Sequence, residues 1–207
     1  MSLGAVLVVT ALFASRGAET SPRVPVLLEL FTSEGCSSCP PADRLLQELD
    51  EKQPIAGAEL IVLSEHVDYW NRLGWNDPFS SAQYSERQQT YSEKYGFDGV
   101  YTPQLAVDGR WGLVGSDLRA ATSAIQKAVR EPKATLQIKN IELAGNKLRA
   151  TVDATGSSAQ SGLLYVAVAE NHASSGLHDA LLMRCLIRLK SRHTGSGGSG
   201  PPGNRYQ

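Results

Sequence analysis

The stretch VPVLLELFTSEGCSSCPP, residues 24–41, decides the fold of this chain. Its first eight residues are apolar on both faces of an extended strand except at Glu29. That pattern belongs to a strand covered on both sides inside a parallel sheet, since a half-exposed strand would alternate. A loop at 32–35 leads to Cys36-Ser37-Ser38-Cys39, and Pro40 and Pro41 follow where the first turn of a helix needs no backbone donors. Ala42, Leu45, Leu46 and Leu49 recur at helical spacing. The spacing predicts a helix from the cysteines to about Lys52, ended by Pro54.

Working outward, residues 58–64 contain Leu60-Ile61-Val62-Leu63 and read as a second buried strand, so strand, helix and strand imply a right-handed parallel crossover. Residues 65–99 are aromatic and polar and predict a helix over 80–95, stopped by Gly96. Tyr84, Gln88, Tyr91 and Tyr95 share one stripe of it and are expected in the core. Two short apolar runs, 104–107 and 110–114, flank Asp108-Gly109 and predict a hairpin. A helix capped by Gly115-Ser116-Asp117 then buries Leu118, Ala121, Ile125, Ala128 and Val129, with Pro132 beyond its end. After that the period becomes alternating, with apolar residues at 136 and 138, at 148 to 152 and at 164 to 168, which predicts three strands. The expected organisation is an α/β domain over 24–130 with a lid-like helical insertion at about 65–99, a small β-rich appendage over 133–169, and a divergent or disordered tail over 174–207. The Gly/Ser/Pro-rich run at 195–203 cannot build a core.

Composition narrows the function. A hydrophobic fraction of 42% in 207 residues supports a packed core and excludes disorder throughout. The formal net charge of −1 gives no field to gather phosphates, so no nucleic-acid partner is expected. Residues 3–14 are almost unbroken apolar, too short to cross a bilayer comfortably, and small residues follow. Residues 1–20 are therefore read as a signal peptide, although no Lys or Arg precedes Arg16; an uncleaved anchor and a first strand are the other readings. A secreted or periplasmic protein follows, with no stable membrane span once the signal is removed.

Three cysteines cannot staple a fold, which leaves the local pair Cys36 and Cys39 for chemistry. Where such a pair opens a helix, the first sulfur faces unpaired backbone N–H groups and the positive end of the helix dipole, and a thiolate is stabilised. Cys36 is the sulfur so placed and is expected to be the more exposed, with Cys39 as the resolving thiol. An inert structural bridge and half a zinc site are the competing readings; the second lacks another Cys pair, Cys185 standing alone. Thiol–disulfide exchange with protein thiols or disulfides is the favoured function, and no cofactor is expected; the rival is a binding module in which the fold and disulfide are scaffold and the Trp-rich insertion holds a ligand.

The order strand, Cys-x-x-Cys helix, strand, helix, then Thr102-Pro103 before a hairpin and a final helix resembles the thioredoxin superfamily. The resemblance implies a thioredoxin-like central sheet flanked by helices and a cis Thr102–Pro103 bond packed against the cysteines, with Pro103 helping to hold a partner segment. More specifically, residues 29–43, His66-Val67-Asp68-Tyr69-Trp70 and residues 74–79 resemble a bacterial secreted family of unknown function, domain of unknown function 1223, over roughly 24–169. The sequence departs from that pattern after Ala169.

A second constellation follows the end of the second strand, the edge of an α/β sheet where ligands usually sit. His66 or Asp68 could accept a proton from Cys39, and Trp70 with Trp75 could wall a partner site. As in copper-handling thioredoxin relatives, Cys36, Cys39 and His66 could together hold a metal ion. The plainer readings are packing for the aromatics and a helix cap for Asp77 before Pro78. Glu29 and Glu34 are read as neighbours of the pair, with Glu34 either tuning Cys36 or simply solvated. Ser37 and Ser38 leave the redox direction open.

Overall fold

The computed structural model describes residues 22–145, 147–156, 163–174 and 179–190. In chain order they form β1 (Val24–Thr32), α1 (Pro40–Lys52), β2 (Ala58–His66), a short 3-10 helix (Asp68–Leu73), α2 (Ala82–Tyr95), β3 (Gln104–Val107), β4 (Trp111–Val114), α3 (Leu118–Arg130), β5 (Thr135–Ala144), β6 (Lys147–Thr155), β7 (Leu163–Ser174) and β8 (Asp179–Lys190). One mixed sheet has the order β4-β3-β1-β2-β8-β7, and β5 pairs with β6 in a separate ribbon. β1 runs parallel to β2 and antiparallel to β3. Helices flank this central sheet, which is the thioredoxin-like α/β arrangement.

Side-chain alternation along β1 assigns the two faces. Val26, Leu28 and Leu30 join Leu60, Val62, Leu105 and Val107 beneath α1 and α3, which contribute Ala42, Leu46, Leu49, Ala121, Ala124, Ile125 and Ala128. On the other face Phe31 and Ala106 pack with Tyr91 and Phe97, and Leu63 packs with Tyr84. α2 therefore covers that face, and its tyrosine stripe is buried at Tyr84 and Tyr91, whereas Tyr95 is 54% exposed.

Local chemistry sets the helix ends. Cys39 is the N-cap of α1, with Pro40 and Pro41 in the first turn, and Gln53 closes the helix in a left-handed conformation. The Ser81 side chain caps α2 by accepting from the Gln83 N–H, and Gly96 ends it at φ 67°. Asp117 caps α3 by accepting from the Ala120 N–H at 2.9 Å. The Thr102–Pro103 bond is cis.

The C-terminal part differs from the sequence expectation. Only β5 and β6 stand apart, while β7 pairs with β8 and β8 lies parallel to β2 through Ser64 and Leu182. Residues 179–190 were grouped with the Gly/Ser-rich tail by composition, yet DALLMRCLIRLK is apolar enough for a strand. The proposed signal segment and residues 191–207 lie outside the described residues. Among the described residues no helix is long and apolar enough to cross a membrane.

Gly115 joins this scaffold to the loop carrying Pro103. Its N–H donates to the Pro103 carbonyl at 3.0 Å, and a Cβ there would fall 2.6 Å from Leu30 Cδ1, 3.1 Å from Ala42 Cβ and 3.2 Å from Pro103 Cβ. Gly115→Ala should destabilise the protein by about 1–3 kcal/mol through overpacking, measured as a lower urea midpoint with an unchanged slope.

Candidate functional site

β1 and β2 end side by side at Thr32 and His66, and the cysteines follow where β1 leaves the sheet. Cys36 and Cys39 form a disulfide with their Cα atoms 5.4 Å apart. Backbone bonds fix the turn: the Cys36 N–H donates to Ser33 O and the Cys39 N–H to Cys36 O, both at 3.1 Å. At the start of α1 the Thr32 hydroxyl donates to Asp43 Oδ1 at 2.8 Å.

Two features depart from the sequence expectation. Cys36 is only 2% exposed and Cys39 fully buried, so the first sulfur is more accessible by a small margin. Moreover, the groups hydrogen-bonded to Cys36 Sγ are hydroxyls: Thr102 Oγ1 at 3.3 Å and Ser38 Oγ at 3.5 Å. The reason lies in the proline pair. Pro40 and Pro41 have no N–H, and the next two, of Ala42 and Asp43, donate to the Cys39 carbonyl at 2.8 and 3.1 Å.

Trp70, on the 3-10 helix, donates its indole N–H to Thr102 Oγ1 at 2.8 Å. It packs on the cysteine loop at Gly35, where an added Cβ would meet Trp70 Cβ at 3.3 Å. Trp70, Thr102 and Cys36 are thus in one chain of contacts, and the cis bond places Pro103 directly after it, buried.

Asp77 draws the insertion onto the same loop. One oxygen, Oδ2, meets His66 Nδ1 at 2.7 Å and accepts from the Glu34 N–H at 2.8 Å and the Ser33 hydroxyl at 3.3 Å. The other accepts from the Phe79 N–H at 2.9 Å. Burial alone would raise the Asp77 pKa, but the hydrogen bond and charge of His66 and the two backbone donors outweigh it and hold the carboxyl below its usual value. Asp77 is therefore a buried anchor, not the helix cap expected from its place before Pro78. His66 is tied to that anchor, and its buried Nε2 has no hydrogen-bond partner among the described residues.

The remaining candidates divide. Asp68 is engaged with Ser85, its N–H donating to the hydroxyl at 3.1 Å and Oδ1 accepting from it at 2.5 Å. Glu34 accepts from the indole of Trp75 at 2.9 Å on the loop surface, and Trp75 is 45% exposed. Glu29 is not a neighbour of the pair, because it points to α2. Among the described residues no group of three or more His, Cys, Asp or Glu side chains is arranged to hold a metal ion.

Sequence reading missed a buried cluster on the α2 face. Arg87 donates from Nε to Glu29 Oε1 at 2.6 Å and from Nη2 to the Tyr91 hydroxyl at 2.7 Å, and Tyr91 donates to Glu29 Oε2. Arg87 Nε also lies 3.5 Å from Glu65 Oε1. Glu65 is fully buried, and neither of its oxygens has a hydrogen-bond partner among the described residues. Burial, then the charge of Glu29, push its pKa well above the usual value, and Arg87 offsets this only in part. An open cavity of about 730 Å³, bordered by Arg87, Tyr91, Lys94 and Tyr165, lies beside this cluster. No local motif announces Arg87 as the partner of Glu29, which lies 58 residues earlier in the sequence.

The central mixed sheet flanked by helices is consistent with a thioredoxin-like α/β fold, and it carries a closed Cys-x-x-Cys turn. The chain belongs to the family described as protein of unknown function (DUF1223), whose model matches residues 27–179. It is similar to a protein of Agrobacterium tumefaciens whose crystal structure was determined as a structural-genomics target, with 30% identity and a TM-score of 0.66 over 82% of this chain and 74% of that one. No curated protein matches it.

Two substitutions separate the buried carboxyls by sign. Asp77 has a depressed folded pKa, so its contribution is complete above the unfolded value of about 4 and is lost as pH falls through the folded value. Asp77→Asn should cost about 1–3 kcal/mol at neutral pH and flatten the acid limb of the stability profile. Glu65 has a raised folded pKa, so the folded state holds the extra proton and stability declines as pH rises from about 4.3 toward that value. Glu65→Gln should remove this decline, which urea denaturation at stepped pH measures directly.

Proposed function

We propose that this protein is a thiol–disulfide oxidoreductase of an exported compartment, exchanging electrons with protein thiols and disulfides through Cys36 and Cys39. The observation that carries the reading is the closed Cys36–Cys39 pair at the mouth of α1 with the Thr102 hydroxyl on the sulfur of Cys36. Compartment is supported by the apolar run at 3–14 and by the persistence of disulfides in oxidising surroundings.

The chemistry balances without a cofactor. A partner thiolate attacks Cys36 Sγ, the Cys36–Cys39 bond breaks, and Cys39 leaves as a thiolate that takes up a proton. The partner's second thiolate then attacks the partner sulfur that is bound to Cys36, the partner disulfide forms, and Cys36 leaves as a thiolate. The partner loses two electrons and gains a disulfide; the protein becomes the dithiol. Run backward, the same steps reduce a partner disulfide.

Burial of both sulfurs favours a second reading, a binding module in which the disulfide is scaffold and the exposed Trp75 and Leu73 meet a ligand. Equilibration with glutathione buffers separates the two. The exchange reading expects a potential between roughly −270 and −120 mV, whereas a structural bridge lies below about −300 mV. With oxidised glutathione, Cys39→Ser should accumulate a mixed disulfide on Cys36 and release one glutathione, while Cys36→Ser should react far more slowly. A deep potential with neither variant labelled would establish the scaffold reading.

A further inference from the structure

An indole nitrogen donates and cannot accept. The 2.8 Å contact from Trp70 Nε1 therefore occupies a lone pair of Thr102 Oγ1 and leaves that hydroxyl's single proton for another acceptor. Cys36 Sγ stands 3.3 Å away. The competing acceptor is the Tyr69 phenol, whose own proton goes to Gln88 Oε1 at 3.2 Å and which interacts with Thr102. While the disulfide is closed its sulfur is a weak acceptor. Once it opens, Cys36 carries a full negative charge and becomes the stronger of the two, because charge-assisted hydrogen bonds are about twice as strong as neutral ones.

Resting on the exchange reading, we propose that Trp70 is a positioning residue: its indole N–H holds the Thr102 hydroxyl so that the proton is delivered to the Cys36 thiolate. The ionisable groups on the surrounding segments do not supply this stabilisation. Glu34 on the cysteine loop, Asp43 on α1 and Asp77 are carboxyls, which oppose a thiolate; the charge of His66 is paired with Asp77 at 2.7 Å, and Tyr69 is a phenol held to Gln88. With α1 opened by two prolines, the hydroxyl takes the place of the helix N–H groups, and the indole fixes its direction.

The test titrates thiolate absorbance in the reduced full chain for wild type, Trp70→Phe, Thr102→Val, the double variant and Thr102→Ser. Each of the first two substitutions should raise the Cys36 pKa by about one unit, a tenfold loss of thiolate. The double variant should add nothing beyond Thr102→Val, and Thr102→Ser should stay near wild type. An unchanged pKa in Trp70→Phe, or additive effects in the double variant, would overturn the proposal. Should Trp70→Phe not fold, the indole proton resonance of the wild type serves instead: it should move as Cys36 titrates and stay fixed in Thr102→Val, and an unmoved wild-type resonance counts against the proposal. Exchange with oxidised glutathione is measured separately. Normal exchange with an unchanged Trp70→Phe pKa rejects this inference alone, whereas absent exchange with coupled pKa values rejects the exchange reading alone.

Discussion

β1 has hydrogen-bonded neighbours on both edges and helices on both faces, so every side chain on it from Val26 onward is committed to packing or to a buried partner. A reactive group can be carried only where such a strand leaves the sheet. The same constraint explains the face that looks out of place. Glu29 sits fully buried in the middle of β1, and a lone buried carboxylate is costly. α2 answers with Arg87 and Tyr91, and the adjoining Gln88 donates to Gln104 Oε1 at 2.8 Å. The low apolar content of α2 is thus a consequence of what β1 presents to it.

Much of the fold was written in local pattern. The doubly apolar run of β1, the 3.6-residue spacing in α1 and α3, and Asp108-Gly109 each carry their signal within a dozen residues. The place of Thr102-Pro103 followed from element order, as the superfamily resemblance implied. What escaped was non-local. His66 and Asp77 are individually ordinary, and Asp77 before Pro78 has the look of a cap; only folding shows that one oxygen of its carboxylate meets both His66 at the end of β2 and the Ser33–Glu34 loop. β8 was hidden for a different reason, since composition averaged over the C-terminal region let the glycines and serines outweigh the apolar run at 180–190.

The cysteine turn shows how one neighbouring feature can cancel an inference. A helix N-terminus stabilises an anion through its free N–H groups, and the sequence places Cys36 in front of one. The residues that make the helix start legible, Pro40 and Pro41, are also those that delete its donors. What remains at the sulfur is a pair of hydroxyls, whose strength depends on how their protons are aimed. A dipole acts on any anion nearby, but a hydroxyl acts only on the acceptor it faces.

Aim must come from elsewhere in the chain, and this gives the insertion its meaning. The segment following β2 is bound to the core at both ends: the Val67 N–H donates to Thr32 O at 2.9 Å and the Ser81 N–H to His66 O at 3.0 Å. Between those bonds lie Trp70, which reaches Thr102, and Asp77, which reaches the loop before Cys36. A segment fixed in this way forms part of the wall of the site. Thr102 is brought to the sulfur by the turn before β3, Trp70 by the 3-10 helix after β2, and Cys36 by the end of β1. Because β1 lies between β2 and β3, the connections that follow or precede all three strands meet at one edge of the sheet. The strand order alone makes that meeting possible, and the two hydrogen bonds through Thr102 give it a chemical consequence.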